Sequence, residues 1–166
     1  MTVIAWIVET SWPACVDATR THTPADTDIV LLHITDPDAA DIAHSAYAGL
    51  LGRGHHHRDP GSQVEDIATS AARHLLDAAA QRLGRPCQQF ERVGRPETEV
   101  ITTADGAELL VVVRDGDPTH LGPRSLDHAG RYIVDHAPCP LLLVWPSTPP
   151  SVKSLPLPPH PPAPHP

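Results

Sequence analysis

The residues that could most clearly bind a ligand lie in the polar segment Arg114–His128, which reads RDGDPTHLGPRSLDH. The segment follows an apolar run typical of a buried strand and precedes a helical pattern. In an open parallel sheet, ligands bind in the turn after such a strand and at the start of the following helix. Free backbone amides at a helix start, with Arg114, Arg124 and Ser125 beside them, would bind an anion such as phosphate. The segment therefore predicts an anion site.

The acidic residues of the same segment argue against a triphosphate. Asp115, Asp117 and Asp127 lie within it, and unpaired carboxylates repel phosphate groups. Gly116 and Gly122 are in the loop, but acids stand where a phosphate-binding loop would carry glycines. An alternative is that Asp115 or Asp117 holds a divalent cation instead of repelling an anion.

A run of three histidines offers imidazole ligands for a transition metal. They are His55, His56 and His57, in the polar stretch LGRGHHHRDPG. Adjacent residues cannot all face one ion, and no cysteine or acid stands at a ligand spacing. We interpret the run as a solvated loop that binds nickel or zinc at most adventitiously, and we expect no metal site.

Other chemically capable residues have structural interpretations. Asp36, Asp38 and Asp41 precede an Ala-rich stretch and are interpreted as acids that favour a helix N-terminus. His33 lies in a strand pattern and is interpreted as a hydrogen-bonded core histidine. No nucleophile elbow is present, so no catalytic residue is assigned and the protein is predicted not to be an enzyme.

Composition limits the classes of partner and the compartment. The 166 residues carry a formal net charge of −8, which disfavours a nucleic-acid partner. No run of 18 apolar residues exists, so no membrane span is expected. The N-terminus lacks the pattern of a signal peptide, and the three dispersed cysteines suit free thiols in a reducing compartment. A cytoplasmic location follows as the expectation.

The apolar pattern predicts alternating strands and helices. Strands are expected over residues 3–8, 28–35, 87–93, 107–114 and 141–145, with the polar third strand at an edge. Helices are expected over residues 10–23, 62–83, 96–104 and 123–136, and in part over 36–51. Continuous apolar strands require both sheet faces to be covered, which predicts a doubly wound five-stranded parallel sheet. The domain is assigned to residues 1–145, and the Pro-rich residues 146–166 form an unstructured tail.

Five short motifs together make the chain resemble the universal stress protein family. They are VETS at residues 8–11, LLHI followed by Asp36-Pro37 at 31–37, VGRP at 93–96, ADGAELLVV at 104–112 and HAPCPLLLV at 136–144. The last motif is the most distinctive. The resemblance covers residues 2–145. Within the family, the chain is similar to the actinobacterial type with a degenerate ATP-binding motif.

The resemblance implies a fold and an assembly. The fold would be flavodoxin-like, of the adenine nucleotide alpha hydrolase type, with strand order 3-2-1-4-5. The protein would be a homodimer in which the last strand, Leu141–Val144, pairs with its copy. It would act in the cytoplasm in stress response, and one branch of the family binds ATP.

The ATP-binding branch carries the motif G-x2-G-x9-G-[ST] after the fourth strand. The matching positions here are Arg114, Asp117, Asp127 and His128, none of which is glycine, serine or threonine. The family's acid on the first strand corresponds to Glu9, and its adenine-flanking backbone to the region of Ile34. The residues assigned to a nucleotide site are Glu9, Ser11, Ile34, Arg114, Gly116, Gly122, Arg124 and Ser125.

Three functional hypotheses follow. The first is a non-enzymatic, dimeric stress-response module with weak or no ATP binding. The second is a stress sensor that binds ATP, with Mg²⁺, in the loop after the fourth strand. The third and weakest is a nucleotide hydrolase, which would need a base and a metal that the sequence does not assign.

Overall fold

The computed structural model describes residues 1–37 and 60–155, with side chains left undescribed at 60–66 and 154. The strands are β1 (Thr2–Trp6), β2 (Asp28–Thr35), β3 (Gln88–Val93), β4 (Leu109–Val113) and β5 (Leu141–Val144). The α-helices are α1 (Trp12–His22), α2 (Pro60–Leu83), α3 (Pro96–Ala104) and α4 (His128–His136). Short 3-10 turns occupy Pro123–Ser125 and Val152–Ser154. The described elements alternate as the apolar pattern predicts.

The five strands form one parallel sheet in the order β3-β2-β1-β4-β5. β1 pairs with β2 on one side, with Ala5 opposite Leu31, and with β4 on the other, with Ala5 opposite Val111. The predicted order 3-2-1-4-5 is confirmed. The polar β3 lies at an edge, as predicted, because a strand with one free side tolerates exposed side chains.

Successive residues of the central strands point to opposite faces of the sheet, and both faces are buried. Val3, Ala5 and Ile7 pack under α1 and α2, together with Cys15, Leu76 and Leu83.

Ile4 and Trp6 pack on the other face against α3 and α4, together with Val100, Ala104 and Ile133. The sheet is thus the middle of three layers, the arrangement that continuous apolar strands require.

The predicted single helix over residues 123–136 is wrong. The chain makes a 3-10 turn at Pro123–Ser125, passes through Leu126 in an extended conformation, and begins α4 at His128. Asp127 is the N-cap of α4, and its Oδ1 accepts a hydrogen bond from the Gly130 amide at 2.6 Å. α4 therefore begins five residues after Pro123, with the Asp127 carboxylate satisfying an amide of its first turn.

The tail prediction needs one correction. Residues 146–155 contain the 3-10 turn Val152–Ser154, although the proline content predicts no helix of any kind. Ser151 is its N-cap, and the Ser151 hydroxyl accepts a hydrogen bond from the Lys153 amide at 3.3 Å.

Several predictions fall on residues outside the described ranges. These are the Asp38 and Asp41 caps, most of the helix over 36–51, the histidines His55, His56 and His57, and the tail beyond residue 155.

Candidate functional site

A cavity of about 360 Å³ opens where β1 and β2 end, at the edge of the sheet that holds the carboxyl ends of the strands. The strand order reverses at β1, because β2 and β3 follow on one side of it and β4 and β5 on the other. The helices change face accordingly: α1 and α2 cover one face of the sheet, and α3 and α4 cover the other. A ligand crevice is expected at this position in a doubly wound sheet. The lining residues are Trp6, Ile7, Val8, Glu9, His33, Ile34, Thr35, Asp36, Ala68, Ala71, Pro96, Asp115, Asp127 and Ala129.

His33 is the buried polar group of the cavity wall. Its Nδ1 lies 2.9 Å from the carbonyl oxygen of Ile7. A carbonyl can only accept, so Nδ1 carries the proton and, in the neutral ring, Nε2 is an acceptor. The Glu9 carboxylate lies 3.7 Å from Nε2, which is an ion-pair distance but too long for a hydrogen bond.

The carboxylates of the wall come from four different parts of the chain: Glu9 after β1, Asp36 after β2, Asp115 after β4 and Asp127 before α4. Asp115 Oδ1 accepts a hydrogen bond from the Thr10 hydroxyl at 2.6 Å. Asp127 Oδ1 caps α4. The described wall contains no arginine or lysine, so its charge is negative.

The loop after β4 closes on itself through its backbone. The amide of Gly116 donates to the Ser125 carbonyl at 3.0 Å, and the amide of Asp117 donates to the Arg124 carbonyl at 2.8 Å. Both amides are therefore used within the protein. A phosphate-binding loop needs such amides free to face the anion.

The side chains of this loop are also paired internally. Arg114 donates to the Ser125 hydroxyl, which in turn donates to the Gly122 carbonyl at 2.7 Å. The guanidinium carbon of Arg114 lies 4.8 Å from the centre of the Trp145 ring, and burial lowers the pKa of this arginine. The Arg114 charge is thus held against Ser125 and Trp145 and does not line the cavity.

Asp117 turns away from the cavity to organise the loop. It accepts hydrogen bonds from the hydroxyl and the amide of Thr119, and its other oxygen lies 2.8 Å from His120 Nδ1. These contacts, the Thr119 hydroxyl first, lower the pKa of Asp117 to about 2. The Asp117 carboxylate therefore stabilises the conformation of the loop.

The eight predicted site residues separate into distinct places. Glu9 and Ile34 line the cavity. Ser11 is buried at the start of α1.

The loop residues of the prediction lie together but outside the cavity wall. Gly116 is in the closed loop, Gly122 has a φ of +97°, Arg124 is exposed, and Arg114 pairs with Ser125, which is 1 % exposed.

Two residues of the site, His33 and Asp127, were noted in the sequence but not given the roles that the structure shows. His33 was assigned to the core, where it is indeed buried and hydrogen-bonded, but it also lines the cavity. Its position near the end of an apolar strand was the available signal, because strand ends meet at the ligand crevice. Asp127 was assigned to a helix interior, although an aspartate before a helical pattern favours an N-cap.

The described residues hold no group of three histidine, cysteine or acidic side chains arranged for a metal ion. Within residues 1–37 and 60–155, no helix is long and apolar enough to cross a bilayer.

Solved structures share the architecture around this site. The universal stress protein UspA from Lactobacillus plantarum is 16% identical, with a TM-score of 0.55 over 87% of this chain and 97% of that chain. A universal stress protein in complex with cAMP is 17% identical, with a TM-score of 0.59 over 89% and 98%. An Arabidopsis thaliana universal stress protein family protein with AMP bound is 16% identical, with a TM-score of 0.56 over 95% and 96%.

The fold is that of the universal stress proteins. The doubly wound sheet predicted from the sequence is thereby confirmed, and the comparison covers nearly the full length of each universal stress protein. No family model and no curated protein matches the sequence. At 16–17% identity the likeness establishes the universal stress protein fold alone.

Proposed function

We propose that this protein is a non-enzymatic member of the universal stress protein family that acts in cytoplasmic stress response as a homodimer, with weak or no binding of ATP. The shared fold supports the family, as do three motifs: VETS lies between β1 and α1, VGRP leads into α3, and HAPCPLLLV runs through β5. Two neighbours of this fold hold cAMP and AMP, which supports the binding of a small ligand by this fold.

The proposal that ATP binds weakly or not at all rests on the negative charge of the cavity wall. Asp115 and Asp127 project into its wall from the loop after β4, on the side where the family's motif would bring phosphate-binding glycines. The Gly116 and Asp117 amides are already donated, and Arg114 faces Trp145. A triphosphate placed here would meet repulsion that no described cation of the wall offsets.

Removing the two loop charges tests this directly. We expect millimolar ATP with Mg²⁺ to leave the melting temperature of the wild-type protein unchanged. In the double variant Asp115→Asn/Asp127→Asn, we expect ATP affinity to rise about tenfold or more, since each carboxylate removed weakens the repulsion. Asparagine keeps an oxygen for the Gly130 amide, so the cap of α4 survives.

The matched control is Asp105→Asn/Asp135→Asn, which removes two exposed acids that do not line the cavity. Thermal shift and calorimetric titration with ATP, AMP and cAMP measure the effect. Micromolar ATP binding by the wild-type protein would contradict the proposal, and so would an equal gain in the control. Phosphate release from ATP by the purified protein would contradict the non-enzymatic part.

The proposed homodimer rests on β5. This strand pairs with β4 on one side and is an edge of the sheet on the other, and all four of its apolar residues are only half-buried. An apolar edge strand readily pairs with a second chain. We place the dimer contact there.

Light scattering of the wild-type protein and of Leu142→Lys tests the contact. We expect a dimer mass that falls to the monomer mass in the variant, because a charge would enter the apolar contact. Gln89→Lys, on the exposed edge strand β3, is the control and should stay dimeric. A second variant, Leu142→Asn, covers the case in which lysine prevents folding; a monomeric wild-type protein at micromolar concentration would refute the dimer.

A further inference from the structure

The described polar groups of the cavity wall are dominated by hydrogen-bond acceptors. The side chain of His33 is 6 % exposed, and its Nε2 makes no hydrogen bond to a described residue. Since Nδ1 is committed to the Ile7 carbonyl, the neutral ring offers an acceptor there and no donor. An acceptor at the wall of a cavity can take a hydrogen bond from a ligand or a water molecule.

A second buried polar atom of the wall also lacks a partner. The hydroxyl oxygen of Thr35 is buried and makes no hydrogen bond among the described residues, although Thr35 lines the cavity next to Ile34. His33 Nε2 and the Thr35 hydroxyl, both near the end of β2, thus make no hydrogen bond to a described residue.

The carboxylates add negative charge to these acceptors. The Glu9 carboxylate is 3.7 Å from His33 Nε2. The hydrogen bonds that hold Asp115 and Asp127 both use the Oδ1 atom. A negatively charged, apolar-walled cleft concentrates cations, because its low-dielectric walls weaken screening.

The ligand should be larger than a metal ion. The described acids and histidine are spread over a cavity of about 360 Å³, and no three of them are arranged for one ion. A cation with several N–H donors at different points satisfies separated acceptors better. The volume is at the lower end of small-molecule sites.

We propose that this cavity binds a small organic cation of the amine or guanidine class, which donates N–H groups to His33 Nε2 and to the carboxylates of Glu9, Asp115 and Asp127. The proposal names the ligand class of the same cavity and rests on the proposed function in so far as ATP does not occupy it. The apolar residues Trp6, Ile7 and Ala129 would contact the carbon chain of the cation.

Calorimetric titration of the full-length protein with agmatine and with 1,4-diaminobutane tests the proposal, with uncharged adenosine as the comparison ligand. We expect saturable binding of at least one cation. We expect the affinity to fall at least tenfold in Asp115→Asn/Asp127→Asn and to stay unchanged in Asp105→Asn/Asp135→Asn. The same two substitutions are expected to raise ATP affinity, so the two ligands respond in opposite directions.

A separate substitution tests the role of His33. In His33→Asn the amide group can still donate to the Ile7 carbonyl, but the Nε2 acceptor is lost. We expect the melting temperature to be retained and cation affinity to fall about fivefold or more.

No binding of either cation, or binding that Asp115→Asn/Asp127→Asn leaves intact, would overturn the proposal. Adenosine binding without cation binding would assign a neutral ligand instead. Micromolar ATP binding by the wild-type protein would overturn the proposed function separately, since it is measured with a different ligand.

Discussion

Replacing Gly116 with alanine is expected to lower the free energy of unfolding by about 3 kcal/mol or more, the upper part of the range for overpacked sites. An added Cβ would lie 2.5 Å from the Arg124 carbonyl oxygen and 2.7 Å from the Ser125 carbonyl carbon. Both are backbone atoms, so no side chain can rotate away. The hydrogen bonds from the Gly116 and Asp117 amides hold the two segments at this separation and would have to break.

Chemical denaturation and thermal melting measure the loss. For a chain of this length we expect the melting temperature to fall by about 6–12 °C. Gly122→Ala is the matched control, because the added Cβ meets nothing within 4 Å and only the φ of +97° is strained. Its φ of +97° with ψ of −159° lies in a region that essentially only glycine adopts, and this strain costs about 1–3 kcal/mol. A loss below about 1 kcal/mol in Gly116→Ala would show that the close approach at this residue does not destabilise the protein.

Ile133→Ala is the second large effect, with an expected loss of about 2–5 kcal/mol. α4 has nine residues, of which Gly130 and Ile133 are buried, so Ile133 supplies the large apolar side chain that fixes the helix to the sheet. It is 0% exposed and packs in the cluster that contains Leu110 and Val112. Its removal leaves a cavity under the helix.

Val134→Ala provides the comparison on the same helix, since Val134 is 37% exposed and its truncation should stay within about 0.5 kcal/mol. Denaturant titration of both variants gives the free energies. Ala129 of α4 and its N-cap Asp127 line the cavity. Ile133→Ala should therefore also lower the affinity of any ligand that binds in that cavity. A loss below 1 kcal/mol for Ile133→Ala would mean that α4 is held mainly by other contacts.

Most of the described helices and strands could be predicted from the sequence, because the patterns that indicate them involve neighbouring residues. Each central strand is a run of apolar residues bounded by polar ones, and β2 was predicted over the residues it occupies, Asp28–Thr35. Helix α3 was likewise predicted from Pro96 at its first position to Ala104. The edge position of β3 followed from Gln88, Gln89 and Glu91, since only an edge leaves such side chains in water.

The start of α4 was misjudged because two local signals competed. Pro123 is a good first helical residue and Asp127 is a good N-cap, and both precede the same apolar pattern. The choice depends on the backbone pairing of Gly116 and Asp117 with Ser125 and Arg124. The chain then follows an extended path through Leu126, and hydrophobic periodicity carries no signal for such backbone pairing within a loop.

The sequence by itself determined the doubly wound parallel sheet and the edge at which a ligand would bind, because hydrophobic periodicity sets which faces are buried and parallel strands bring their carboxyl ends together. The tertiary structure alone decided what that edge offers a ligand. It turned Arg114 and Ser125 toward each other and used the loop amides internally, while it brought His33, Asp115 and Asp127 to one cavity wall. The physical reason is that a side chain's partners depend on residues far away in the chain, whose approach is fixed only when the sheet, its helices and its loops pack together.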